Sequence, residues 1–535
     1  MDGNHRERIE HHYLNLVSRS SPGSEAGDET EHLPTELLLA LFGALIGDGD
    51  CDLHSLIVLT HVCRRWRDVA ISTSQLWSDL ILPRAPVDEA LLDTFFLTVY
   101  DCLALSRSAP LSISLDLLHE DRPDVVARYL HLVCSHSPRW KNVSLRCPPI
   151  LSQRLYPTLS PEPHPHLESI RIKTETWEEE QFVDHWDLTR ADLRALEYAP
   201  NLRQLAITHS NFGELSLPWG HLSSIDLRIP DTSESTHGPT LADPFDIDKF
   251  VHTLRRFPNI TLLRLHFDGE FSHLEFPDHW PPPNASHLKL ERLTSLEIVT
   301  SNLFIESYLL VVLDAPELAC LTLDSRYDLE DSIDMGILQG RLSAFLRSRR
   351  HTLRNLELRF LSFISEAVLV EAIRACRELR SLTVIDDWNV IGSLFLQSLT
   401  LRSNVTRHND SEHGTYVLEP DCSNPFLEKI AIFRDHLGIA DSDIGDIYPR
   451  EFYVGLVDMV KSRCYSSEES HVEDHPDSVA HKSFVATHTS RLDVLTLCID
   501  DADWMKENLP EQWAILEGCG EDGLALVTKN IDLVL

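Results

Sequence analysis

A short unit of the form L-x-x-L-x-L recurs along most of this 535-residue chain, and it limits the possible folds more than any other feature. It reads PNLRQLAI at Pro200, PNITLLRL at Pro258, PELACLTL at Pro316, HTLRNLEL at His351 and RELRSLTV at Arg377. Looser copies are HLESIRI at His166, HLSSIDL at His221, RLTSLEI at Arg292, PFLEKIAI at Pro425 and RLDVLTL at Arg491. PRWKNVSL at Pro138 has the same form with Trp140 in the first apolar place. The last two apolar positions alternate with polar ones, so they share one side of a short strand. The first apolar residue turns the incoming chain inward.

One such unit cannot bury its own apolar face, whereas many stacked side by side can. The segments between units carry helical patterns, as in DKFVHTLRRF before Pro258 and EAVLVEAIRACREL before Arg380. Strand, loop, helix and strand in succession predict a curved parallel sheet with helices outside, an α/β solenoid. The first apolar positions are Leu167, Leu202, Leu222, Ile260, Leu293, Leu318, Leu353, Leu379, Leu427 and Leu492, spaced 20 to 65 residues apart. Regular leucine-rich repeats have a period of about 20 to 29 residues. The array is therefore degenerate, with long loops expected at 231–246, 268–287, 401–424 and 464–490. The predicted solenoid covers 105–500. A segment at 501–535 leaves the pattern, and its Trp504 and Trp513 are expected to cap the stack.

The N-terminal part has a different texture. Residues 1–30 are polar and read as a disordered tail. From Leu33 the pattern is helical: Pro34 suits a first turn, and Leu38, Leu41, Phe42 and Leu45 follow at i, i+3, i+4 and i+7. GDGDCD breaks that helix, and Asp52 can cap the next, where Leu56, Leu59, Cys63, Trp66 and Ala70 keep helical spacing as one helix or as two joined near Cys63. A third piece carries Leu76, Trp77 and Leu80.

LPTELLLALF, a leucine-rich helix and then VCRRWRDVAISTSQLW resemble the F-box, the adaptor-binding module of cullin-type ubiquitin ligases. The anchors are Leu33, Pro34, Glu36, Leu37, Leu38, Val62, Cys63, Arg65, Trp66, Leu76 and Trp77, within residues 31–82. The longer loop at GDGDCDLH and the degenerate repeats downstream look like the large fungal F-box-like groups. The resemblance implies docking to a Skp-family adaptor, and through it to a cullin and a RING subunit, with Leu33, Pro34, Leu37, Leu38, Leu41, Phe42, Val62, Cys63, Trp66, Leu76 and Trp77 as the adaptor-binding set. Some of Leu33, Leu38, Phe42, Trp66 and Trp77 must also fill the core of so small a bundle.

Other chemistries find little footing. The formal net charge of −37 disfavours nucleic acid in the absence of a strong local basic stripe, and Arg64, Arg65 and Arg67 point around a helix instead of lining one face. No stretch nears the roughly 18 to 20 apolar residues that span a bilayer, and no signal-length apolar run opens the chain, so a cytoplasmic or nuclear location with no membrane partner is expected. The eleven cysteines show no C-x-x-C spacing, which gives neither a disulfide framework nor a zinc site. Asp48, Asp50 and Asp52 start like a calcium loop, but Leu53 and Leu59 stand where its glycine and glutamate belong. His164 and His166, and the histidines of HVEDHPDSVAH, lack partners at ligand spacing. No nucleophile elbow, phosphate loop or dinucleotide fingerprint is present, so neither an enzyme nor a cofactor is expected.

The expectation is thus an α/β chain in two parts: a small helical F-box bundle, then a leucine-rich-repeat-like solenoid. It would act as the substrate-recognition adaptor of a Skp–cullin–F-box ligase. An unidentified protein target is expected on the concave strand face, at Gln204, Thr208, Asp226, Arg228, Arg264, His266, Glu297, Glu357, Arg359 and Thr383. The alternatives are an interaction scaffold whose F-box-like segment only caps the solenoid, and a metal-dependent enzyme using loop histidines.

Overall fold

The computed structural model describes residues 33–46, 53–118, 120, 122–147, 163–174, 194–208, 217, 219–230, 245–269, 271, 287–326, 335–359, 364–386, 391–400, 403–407, 416–420, 424, 426–434, 450–464, 484–486 and 491–529. The tail at 1–30, the GDGDCD segment and HVEDHPDSVAH lie outside them. The chain divides into two compact units, Met1–Leu222 with Ser235–Ala242, and Ser223–Glu234 with Asp243–Leu535.

The first unit opens with helices α1 (Thr35–Ile46), α2 (Leu53–Val62) and α3 (Arg64–Ser72) and a 3-10 turn at Ser74–Trp77. It continues as β1 (Asp79–Leu82), α4 (Glu89–Leu105), β2 (Leu111–Asp116), α5 (Pro123–Cys134), β3 (Trp140–Cys147), β4 (Ser169–Thr174), α6 (Arg194–Glu197) and β5 (Gln204–Thr208). These strands pair in parallel in chain order, with Asp79 opposite Ser112, Asn142 opposite Ser169 and Ser169 opposite Gln204. β1 falls inside the 31–82 stretch that reads as helical in sequence. Leu80 and Leu82 alternate with half-buried and exposed neighbours, a strand period too short to show against the helices before it.

The second unit repeats strand and helix: β6 (Ser224–Pro230), α7 (Ile247–Leu254), β7 (Leu262–Asp268), β8 (Leu288–Lys289), β9 (Ser295–Thr300), α8 (Leu303–Val312), β10 (Leu313–Asp314) and β11 (Cys320–Ser325). There follow α9 (Met335–Ser348), β12 (Asn355–Arg359), α10 (Glu366–Ala375), β13 (Ser381–Asp386), α11 (Ser393–Leu399), β14 (Ser403–Arg407), β15 (Tyr416–Pro420) and β16 (Lys429–Arg434). The unit ends with α12 (Arg450–Cys464), β17 (Phe484–Ala486), β18 (Val494–Cys498), α13 (Ile499–Asn508), α14 (Pro510–Glu521) and β19 (Ala525–Lys529). Its main sheet runs β6-β7-β9-β11-β12-β13-β16-β18-β19, parallel throughout.

One backbone pattern recurs through the strand pairing of both units. In most repeats the leading apolar residue donates its N–H to a carbonyl three residues back, as Leu202 does to Ala199 and Leu318 to Ala315, while Leu353 reaches Arg349, four back. The next residue donates across to the preceding unit: Arg203 to Glu168 at 2.9 Å, Thr294 to Thr261 at 2.9 Å, Arg354 to Ala319 at 2.8 Å, Asp493 to Glu428 at 2.7 Å. The leading residues themselves, from Leu167 to Leu492, are buried. Each fully buried leucine side chain stabilises the stack by about 1.5–3 kcal/mol.

The departures from the expected pattern have local causes. The 401–424 insertion holds β14 and β15, an antiparallel pair that β17 joins from the 464–490 insertion, so both contain strands where plain loops were expected. The C-terminal segment, expected only to cap, also adds a strand. Leu524 takes the leading place, Ala525 donates to Asp493 at 2.8 Å, and β19 pairs with β18. Gly523, at φ +101°, makes the turn that positions Leu524 there. Trp513 is buried, and Trp504 packs on Tyr453 at 5.1 Å.

Candidate functional site

Cys63 settles how the two arms of the helical module meet. Its extended backbone (φ −153°, ψ 173°) ends α2, and its Sγ accepts the Trp66 N–H at 3.5 Å, capping α3. The turn brings Trp66 edge-on to Phe42 of α1, with ring centroids 5.0 Å apart. Leu38, Phe42, Leu53, Leu56, Leu59, Trp66 and Ala70 close the core between them. Trp77 is buried as well, and its indole donates to the Ala70 carbonyl at 2.8 Å.

The eleven residues expected at an adaptor surface therefore divide. Leu38, Phe42, Trp66 and Trp77 are interior, because bringing three short helices together consumes the largest side chains first. Leu33, Cys63 and Leu76 are half-buried. Pro34, Leu37, Leu41 and Val62 remain at the surface, Leu37 at 55%, Leu41 at 38% and Val62 at 54% exposure. Leu45 continues the Leu37–Leu41 line one turn further along α1, and Val58 stands one turn before Val62 on α2; both are exposed. Two apolar lines on neighbouring helices face solvent. Sequence periodicity placed Leu38, Leu41, Phe42 and Leu45 on one face, whereas Leu38 and Phe42 turn inward and Leu41 and Leu45 turn out.

The arginines of the same segment brace the module. Arg65 reaches the Leu33 carbonyl at the start of α1, and Arg67 donates through Nε to the Thr60 carbonyl at 2.8 Å in the last turn of α2. Arg64 is exposed.

On the strand face, register assembles two columns that hold eight of the expected target residues together with Thr322 and Asp324. Asp226, Arg264 and Glu297 stand opposite one another, continued by Thr322, Glu357 and Thr383. Beside them run Arg228 and His266, and, further along, Asp324 and Arg359. These side chains are tied to one another. Arg264 meets Glu297 at 2.9 Å, Arg359 meets Glu357 at 2.7 Å, and Arg228 pairs with Asp268. His266 Nε2 lies 3.8 Å from Asp226 and 3.9 Å from Glu297. Gln204 is exposed on β5. Thr208, taken from the pattern as outward, is buried and does not belong to an open face.

Reactive groups are not gathered. Among the described residues no group of three or more His, Cys, Asp or Glu could hold a metal ion. His164 is wholly buried, stacks on Trp140, and donates through Nδ1 to the Ser137 carbonyl at 2.9 Å, so it fastens the approach to β4. Burial pushes the thiols of Cys102, Cys147, Cys376 and Cys464 up to about 12, far from a ready thiolate. Among the described residues no helix is long and apolar enough to cross a membrane.

Residues 30–83 match the F-box-like family model. The match spans the capped α2–α3 junction, both tryptophans and the two exposed apolar lines. No curated protein matches the chain in sequence. Among solved structures, a chain of the crystal structure of the Rad7 and Elc1 complex in yeast is 14% identical, with 82% of this chain and 92% of that chain covered and a TM-score of 0.36. So loose a superposition carries no argument about fold or partner.

Proposed function

We propose that this protein is the target-recognition subunit of a Skp–cullin–F-box type ubiquitin ligase, with α1 and α2 docking a Skp-family adaptor and the degenerate leucine-rich strand face receiving a protein target. The observation that carries the reading is the coincidence of the F-box-like segment with exposed apolar side chains. Leu37, Leu41 and Leu45 on α1, and Val58 and Val62 on α2, face solvent within residues 30–83. Ordered leucine and valine at repeated helical positions on a charged protein's surface are what a helical partner buries. Pro34 and the half-buried Leu33, Cys63 and Leu76 border that surface.

Leu38, Phe42, Trp66 and Trp77 act beneath it, fixing the angle at which α1 and α2 present those side chains. The mechanism is proximity. The module holds the ligase core, the strand face holds the target, and other subunits transfer ubiquitin. Tethering raises the effective concentration of a target lysine near the ubiquitin carrier and needs no catalytic residue on the tether.

A plain scaffold is the competing reading, and β1 favours it in one respect: the strand after Trp77 pairs with β2, which joins the module to the sheet as a cap would be joined. The two separate on one experiment. Tagged full-length protein expressed in cells should bring down a Skp-family adaptor and a cullin, and the Leu41→Asp variant should not. Recovery of neither subunit by the wild type would leave the scaffold.

A further inference from the structure

The outward face of the first unit carries a charge pattern opposite to that of the whole chain. Asp116 on β2 stands opposite Arg146 on β3, and Arg146 stands opposite Lys173 on β4. Arg171 lies two residues before Lys173 on the same face, opposite Ser144. Arg84, just beyond β1, and Arg146 both lean on the one carboxylate of Asp116, at 3.7 and 3.3 Å. Two cations thus share a single acid, and Arg171 and Lys173 add two more on the neighbouring strand, in a protein whose formal net charge is −37. Asp79 sits at the other end of the face, opposite Ser112, about 13 Å along the strands from Asp116.

Among the described residues Arg171 and Lys173 make no ion pair, and like charges placed directly opposite across a strand pair, as Arg146 and Lys173 are, destabilise it. The positions between the cations are filled by small hydrogen-bonding side chains, Ser112, Ser114, Asn142, Ser144 and Ser169. An extended chain can lie flat there. Its side chains at alternate positions are about 6.6–6.8 Å apart, the same spacing as Arg171 and Lys173 on β4.

We infer that this face is a docking site for an acidic, extended segment of a protein partner, with carboxylates at alternate positions meeting Arg171 and Lys173 and with Arg146 and Arg84 completing the site. The inference rests on the target-recognition reading and gives it a partner chemistry. It also moves the point of recognition from the self-paired columns of β6–β12 to β2–β4. There, among the described residues, the cations outnumber the acids, so an incoming carboxylate breaks no ion pair made by Arg171 or Lys173. A nucleic acid fits less well. No aromatic side chain occupies these outward positions to stack a base, and the chain's net charge repels a polyanion at longer range.

The test is fluorescence anisotropy of the purified full-length protein with a labelled peptide of alternating Glu and Ser. The wild type should bind it, less tightly as salt is raised, and should ignore the matching Lys–Ser peptide. Arg171→Gln/Lys173→Gln should weaken binding about tenfold, with thermal unfolding no lower than that of the wild type. Arg374→Gln/Arg377→Gln, on exposed positions of the second unit, should bind as the wild type does.

Three outcomes overturn the inference: equal binding by the Arg171→Gln/Lys173→Gln protein, tighter binding of a thymidine oligonucleotide of equal charge, or binding only when Glu178, Glu179 and Glu180 are changed to Gln. In the last case the acidic sequence that follows β4 would be the occupant in cis. Adaptor capture by the same preparations is a separate readout. Failure of the peptide to bind leaves the ligase reading intact, and failure of adaptor capture leaves the anion site intact.

Discussion

Trp77 donates its indole N–H to the carbonyl of Ala70 at 2.8 Å, and the bond pins the last turn of the helical module beneath α3. Both groups are buried, so a substitution loses packing and strands a carbonyl together. Trp77→Ala should cost about 3–5 kcal/mol, read as a lower urea midpoint for the N-terminal unit. Trp77→Phe keeps part of the volume and should cost less.

The arginine cluster predicts a graded series. Arg65 satisfies the Leu33 carbonyl just before α1, Arg67 satisfies the Thr60 carbonyl in the last turn of α2, and Arg64 is exposed. Arg65→Gln and Arg67→Gln should each destabilise by about 1–2 kcal/mol, while Arg64→Gln should stay within about 0.5 kcal/mol of the wild type. Equal effects at all three positions in denaturant melts would contradict the bracing role.

His136 gives a pH dependence with a definite sign. Burial, with the nearby Arg139 charge, holds its pKa below the ordinary 6.5. The unfolded chain therefore takes up a proton before the folded one does. The stability contribution is present above about pH 6.5 and is lost as pH falls from there toward the folded pKa. Tm of the wild type should decline over that interval, and His136→Gln should flatten the decline.

Arg463 should be among the costlier residues to replace. It is fully buried near the end of α12 and donates to the carbonyls of Leu399 at 2.8 Å, Asn424 at 3.1 Å and Leu427 at 3.4 Å. It thereby ties the two sides of the 401–424 insertion to the start of β16. Arg463→Met should cost about 3 kcal/mol or more, measured by chemical unfolding, although it replaces a charge with an apolar side chain of similar length.

The strands of the repeats from β3 to β18 were legible because each of those repeats carries its own signal. A leading leucine, then alternation, places Leu167 through Leu492 in the core without reference to any neighbour. The F-box-like segment was legible for a similar reason, its anchors lying close together in sequence. The division of those anchors between core and surface was not. Leu41 and Phe42 share one helical stripe, and only the crossing of α1 with α3 decides that Phe42 meets Trp66 and Leu41 meets water. Long-range polar arrangements were equally hidden. The carbonyls that Arg463 meets, those of Leu399, Asn424 and Leu427, lie 36 to 64 residues away in sequence. The cations at Arg84, Arg146, Arg171 and Lys173 are dispersed in sequence and become one patch only through strand register. The search for a continuous basic stripe could not find them.

The central claim is that α1 and α2 present a docking surface to a Skp-family adaptor, and titration calorimetry with purified adaptor tests it most directly. Leu38→Asp or Trp66→Asp would unfold the module and decide nothing, so the informative variants are Leu41→Asp and Val62→Asp, at exposed positions. The account predicts saturable binding by the wild type and a loss of about tenfold or more in each variant, with unfolding curves unchanged. No binding by the wild type, or full affinity in both variants, would contradict it.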